Sequence, residues 1–204
     1  MATDALGLYV HIPFCIRKCV YCDFLSFPRD KMAEQGYFDV LSGEIAEKAR
    51  LYGERLFDSI YIGGGTPSCV DARAVAALLQ QIRRTFRIAS DAEITLEANP
   101  GTVDAEKIRI YRDAGVNRFS LGVQSLSDRL LKSLGRIHDA AAVIRTVELL
   151  KKSGVENFNL DLIVGIPGIQ KEAPQTLSEA QKAAAFASSC GASHISLYSM
   201  ITEP

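Results

Sequence analysis

The sequence predicts an α/β fold built as a partial (β/α)6 barrel, and three observations carry that prediction. Short, apolar, β-rich segments alternate with amphipathic helical stretches along the whole chain, a pattern that demands parallel pairing through right-handed crossovers. Each strand–helix–strand unit takes about 30 residues, so 204 residues hold six units, not the eight of a closed barrel. Polar and glycine-rich residues gather at the C-terminal ends of the strand segments: Cys15, "GGGTP", "EANPG", "GVQS" and "DLIVGIPG". In parallel α/β folds that edge receives ligands, because loops and helix N-termini converge there.

The strand segments run in order as 8–14, 59–65, 93–100, 118–125, 157–167 and 194–200. After the first comes a stretch with Tyr37, Phe38, Leu41, Ile45 and Ala49 at steps of one, three and four, an amphipathic helix stripe. After the second, "DARAVAALLQQIRRTF" opens on Asp71, a predicted N-cap. The helices that follow the third and fourth strands open on Asp104 and Asp139 and stop at Gly115 and Gly154, matching cap and C′ preferences. A last helical stretch, "TLSEAQKAAAFASSCG", leads into the sixth strand. No low-complexity linker breaks the chain, so residues 1–204 read as one domain.

Composition narrows the function classes. Apolar residues make up 48% and charged residues 23%, with a net charge of −1, which offers nothing to nucleic acid or an anionic membrane surface. Apolar runs such as "AVAALL" fall far short of the ~20 residues of a membrane span. The start lacks a basic, then apolar, signal peptide. Five cysteines, three of them clustered, do not suit a secreted disulfide framework, and a cytoplasmic location is expected.

Those three are Cys15, Cys19 and Cys22, in a C-x3-C-x2-C pattern. Four thiolates would close a structural zinc or an electron-transfer cluster, whereas three leave one coordination position open. An iron–sulfur cluster with one iron unligated by protein fits three thiols best. Two alternatives stay open: a zinc site completed by His11 or Cys69, and a redox-active "CVYC" pair. Arg17 and Lys18 inside the loop help offset several thiolates. Cys69 and Cys190 read as small buried hydrophobes, and His194 as structural.

"YVHIPFCIRKCVYC", "YIGGGTPS", "LEANPG", "GVQS", "LGRIH" and "NLDLIVGIPG", in that order from Leu8 to Pro204, resemble the radical S-adenosylmethionine (SAM) superfamily. The resemblance is to the branch that holds oxygen-independent coproporphyrinogen III dehydrogenases and HemW-type heme chaperones. It implies that Cys15, Cys19 and Cys22 hold three irons of a [4Fe–4S] cluster while SAM chelates the fourth. Reduction would then split SAM into methionine and a 5′-deoxyadenosyl radical. It also implies SAM contacts at Tyr9, Gly64, Gly65, Thr66, Glu97, Gln124, Arg136 and Asp161. The glycines would let backbone approach SAM's methionine end, Glu97 would accept ribose hydroxyls, and Arg136 would pair with the SAM carboxylate. Asp161, in an apolar run, is expected to be paired. Whether one or two SAM molecules bind is open, and His138 receives no role.

Two departures matter. The dehydrogenase branch carries a further cysteine two residues after the third ligand, and this chain has Phe24 there; C-x2-C-D-F matches the chaperone branch. The chain also stops at "SMITEP", where relatives continue into a C-terminal domain, so an edge strand and apolar surface are expected to lie exposed. The expected function is therefore heme chaperoning, with heme as cargo, heme-acceptor proteins as partners and an electron donor for the cluster. The enzyme alternative is oxidative decarboxylation of coproporphyrinogen III.

Overall fold

The computed structural model describes residues 5–169 and 172–200. The first four residues, and the last four of the "SMITEP" ending, lie outside the described residues. Six parallel strands form one sheet: β1 (Leu6–Ile12), β4 (Leu56–Gly64), β5 (Arg87–Ala98), β6 (Arg118–Gln124), β7 (Phe158–Val164) and β8 (His194–Ser199), paired in that order. The expected six-unit partial barrel is the fold found. Between them run α1 (Lys31–Tyr52), α2 (Ala72–Thr85), α3 (Ala105–Asp113), α5 (Ala140–Lys152) and α6 (Leu177–Ser189). Three short elements escaped the sequence reading: the β2 (Phe14–Cys15) and β3 (Phe27–Pro28) pair, and α4 (Asp128–Ser133).

Local chemistry sets the helix ends. The carboxylates of Asp71, Asp104 and Asp139 accept from the amides of Arg73, Lys107 and Ala142, satisfying first-turn donors. Gly115 and Gly154 follow α3 and α5 with φ of +104° and +71°, the left-handed stop that glycine tolerates. The α6 N-terminus carries a reciprocal capping box between Thr176 and Glu179.

The core lies on the outer face of the sheet. Ile60, Ile62, Ile94, Leu96, Phe119 and Leu121 are fully buried there against helix residues such as Leu79, Ile82, Ile108 and Val143. The α1 stripe joins them through buried Ile45 and half-buried Tyr37, Phe38, Leu41 and Ala49. Residues of the other parity face inward and are polar: Tyr61, Glu97, Ser120 and Asp161 stand on neighbouring strands. At the far edge β8 pairs, among the described residues, with β7 alone, and its outward Leu197 is 59% exposed.

Candidate functional site

One short strand pair, β2 with β3, builds the neck of the site. Beyond β1, Phe14 and Cys15 pair with Phe27 and Pro28, through Phe27 N to the Pro13 carbonyl and Arg29 N to the Cys15 carbonyl. The eleven-residue excursion between them, 16–26, carries Cys19 and Cys22 over the C-terminal ends of the strands. His11 steadies it: its Nε2 donates to the Leu25 carbonyl (2.9 Å), so Nδ1 accepts from the Tyr9 hydroxyl (2.9 Å). On the other side the Val20 amide donates to the Leu134 carbonyl (3.2 Å).

Below this loop opens a cavity of about 410 Å³. Cys15, Cys19 and Cys22 all stand on its wall, as free thiols, Cys15 buried and the other two half-buried. Among the described residues no three His, Cys, Asp or Glu side chains are drawn into an ion-holding geometry. The thiols are nonetheless close enough to sense one another: burial pushes the Cys22 thiol up, and Cys19 and Cys15 push it further. Lys18, beside them, pulls it down. His11 and Cys69, the alternative fourth ligands, do not line the cavity. Cys69 is buried with its thiol on the Phe14 carbonyl (3.4 Å).

Seven of the eight expected SAM contacts line the same cavity: Gly64, Gly65, Thr66, Glu97, Gln124, Arg136 and Asp161. Tyr9 does not. It stands on the inner face of β1, stacked on Tyr61 (6.2 Å between centroids), and is 58% exposed. The edge position of β1 explains this: the inward place nearest the cavity belongs to Tyr61 on the next strand.

Tyr61 is the residue the sequence reading missed. Its hydroxyl donates to Glu97 Oε1 (2.8 Å), while the Gly64 amide donates to Oε2 (3.1 Å). Glu97 is thus fixed at the cavity floor, and burial outweighs these two donors in pushing its carboxyl up. The strand alternation was the available signal, because Ile60 and Ile62 point outward and Tyr61 between them points in. Asp161 is paired as expected: Ser120 donates to Oδ2 (3.1 Å) and Asn159 to Oδ1 (2.7 Å).

The "GGGTPS" turn serves the protein's own loop. A Cβ on Gly65 would lie 2.6 Å from the Phe14 carbonyl oxygen and 3.0 Å from Cys15 Sγ, so only glycine lets the thiol sit there. The Gly65 and Thr66 amides donate to the carbonyls of Ile12 and Phe14. Lys107 staples this turn to the "EANPG" loop, its ammonium donating to the carbonyls of Ser68 (2.7 Å) and Thr102 (3.1 Å). Asn99 does the same from its side, donating to Thr66 Oγ1 (2.9 Å).

Gln124 ends β6 with φ of +66°, the sole non-glycine in that region among the described residues. It sits where the β6–β7 register slips, a strained placement of the kind found at ligand sites. Phe24, at the dehydrogenase-branch cysteine position, stands on the cavity wall and is 70% exposed. His138 is buried, with Nε2 near the Val123 carbonyl (3.3 Å). Burial and Arg136 lower its pKa to about 4, so it stays neutral and packs rather than titrates.

The donor set fits a thiolate-held cluster with an open position: three thiols and three cations, Arg17, Lys18 and Arg136, share one cavity with two half-buried carboxylates, Glu97 and Asp161. Arg136 Nε is buried without a partner.

Comparisons with known proteins agree. The model of the Radical SAM superfamily matches residues 9–180. The chain is 43% identical over 204 residues to the heme chaperone HemW of Haemophilus influenzae, spanning 98% of this chain and 52% of that protein. It is 41% identical over 200 residues to the heme chaperone HemW of Escherichia coli, spanning 98% and 51%. Coproporphyrinogen III oxidase (HemN) from Escherichia coli, a radical SAM enzyme, superposes with a TM-score of 0.88 at 27% identity, covering 98% of this chain and 45% of that one. The chain spans about half the length of the curated relatives it matches. A family match over most of the chain coincides with three thiols and a fixed carboxylate around one strand-end cavity: the chain belongs to the radical SAM superfamily.

Proposed function

We propose that this chain is the cluster- and SAM-binding part of a HemW-like heme chaperone, which passes heme to acceptor proteins. In this reading Cys15, Cys19 and Cys22 hold a [4Fe–4S] cluster. Bound there, the cluster supplies one-electron chemistry and an open iron for SAM, and an electron donor reduces it. Glu97 holds the ribose hydroxyls and Gln124 and Asp161 line the rest of the SAM site, while Tyr9 packs on Tyr61 beside the cavity. Arg17 and Lys18 offset thiolate charge. Residues 1–204 act as a single domain, and the protein works in the cytoplasm; no helix among the described residues is long and apolar enough to cross a membrane.

The observation that favours chaperoning over porphyrinogen oxidation is Phe24. The position lines the cavity wall, and where the dehydrogenase branch carries a cysteine this chain has a phenyl ring and no thiol. Heme transfer is a binding function, and the reading does not require catalysis.

The test uses anaerobically reconstituted protein, as this chain and as a version extended to the length of its relatives. Both are expected to hold about four irons and four sulfides, and the extended version to bind heme while leaving coproporphyrinogen III unreacted with SAM and reductant. Turnover of coproporphyrinogen would overturn the chaperone reading and promote the enzyme. Stoichiometric heme binding by the shorter chain would move the heme site into the barrel. Gly65→Val is expected to lose iron as well as SAM binding, because its side chain would displace Cys15.

A further inference from the structure

Arg136 sits one residue past the left-handed turn at Gly135, φ +74°, and its guanidinium reaches back under the cysteine loop. Nη1 donates to Cys19 Sγ (3.5 Å) and to the Tyr21 hydroxyl oxygen (3.4 Å). Nη2 donates to Asn99 Oδ1 (2.5 Å) at the end of β5 and to the Gly122 carbonyl in β6. One planar fork therefore spans loop and sheet, which a point-charge ammonium cannot reproduce. The Val20–Leu134 backbone bond lies alongside, so the "LGRIH" segment grips the loop at two places.

Both terminal nitrogens are already committed, and one of the partners is a cysteine sulfur.

We propose that Arg136 is a positioning residue for the cluster, latching the cysteine loop onto the ends of β5 and β6 and donating a hydrogen bond to Cys19 sulfur. This rests on the reading that Cys15, Cys19 and Cys22 hold the cluster. A nearby cation and an N–H donor on a ligand sulfur stabilise the added electron, so they raise the reduction potential. The role operates before SAM arrives and is separate from any contact Arg136 makes to SAM.

The experiment compares the parent with Arg136→Lys and Arg136→Met after anaerobic reconstitution, without SAM. Iron and sulfide are counted first. A parent that holds no cluster overturns the cluster reading itself, whatever Arg136 does. With equal iron content, midpoint potentials from EPR-monitored redox titration are expected to fall in the order parent, Lys, Met, and iron release to a ferrous chelator to quicken in the same order. Equal potentials and equal release rates in all three overturn the proposal. If the Met variant holds no iron, the Lys variant decides by the same two measurements. Loss of iron in both, with unchanged far-ultraviolet circular dichroism, supports the latch.

Discussion

The two faces of one sheet carry different burdens. On β6, Leu121 faces outward and is fully buried under the helices, while Gly122 beside it lines the cavity. The outer face is closed by apolar packing, and the inner face is a chain of polar pairs: Tyr61 on Glu97, Ser120 on Asp161, Asn159 on both Ser120 and Asp161. Stability is concentrated on one parity and ligand chemistry on the other. Residues one position apart are thus predicted to fail in different assays.

The largest expected effect is on the outer face. Leu121→Ala should cost about 2–5 kcal/mol of unfolding free energy, seen in denaturant titration, while SAM affinity of the folded fraction holds. A selective loss of SAM binding at unchanged stability would break the division between faces.

On the inner face, Glu97→Gln should weaken SAM binding by about 1–3 kcal/mol through lost charge-assisted bonds, measured calorimetrically, without lowering stability. Here pH sharpens the comparison. Burial holds the Glu97 carboxyl above its ordinary 4.5 in the folded protein, so the folded state binds the proton more tightly than the unfolded chain. Its contribution to stability is complete below pH 4.5 and is lost as pH rises through the folded value. Thermal unfolding of Glu97→Gln should therefore fall less steeply with rising pH than that of the parent.

The smallest effect belongs to the rim. Asp71→Ala removes the α2 cap just past the "GGGTPS" turn and should cost about 1 kcal/mol, with SAM affinity unchanged. A matching loss of SAM affinity would show that the cap serves the cavity as well as the helix.

Much of this division was legible in the sequence. Alternation placed all six strands, and Asp71, Asp104, Asp139, Gly115 and Gly154 marked helix ends because caps are local chemistry. The cysteine spacing and strand-end glycines marked the cavity. Two-residue strands such as Phe14–Cys15 and the six-residue α4 are too short to show a period. Strands β4 and β5 begin earlier than expected, at Leu56 and Arg87, because Asp58 and Asp91 interrupt the apolar pattern. Lys107 reads as an ordinary surface lysine on an amphipathic helix; only the folded approach of two loops gives it carbonyls to bind. Arg136 was visible as a cation, but its grip on Cys19 depends on residues 117 positions apart.

The left-handed backbone at Gln124 has a consequence for anyone who tries to improve this protein. Selection for expression or heat resistance alone should drift toward glycine there, since a side chain in that conformation costs roughly 1 kcal/mol. Such a variant would look like a success by every assay that watches only the fold. Under the proposed SAM reading of the cavity, screens of this barrel need a SAM-binding readout from the first round to keep Gln124 in place.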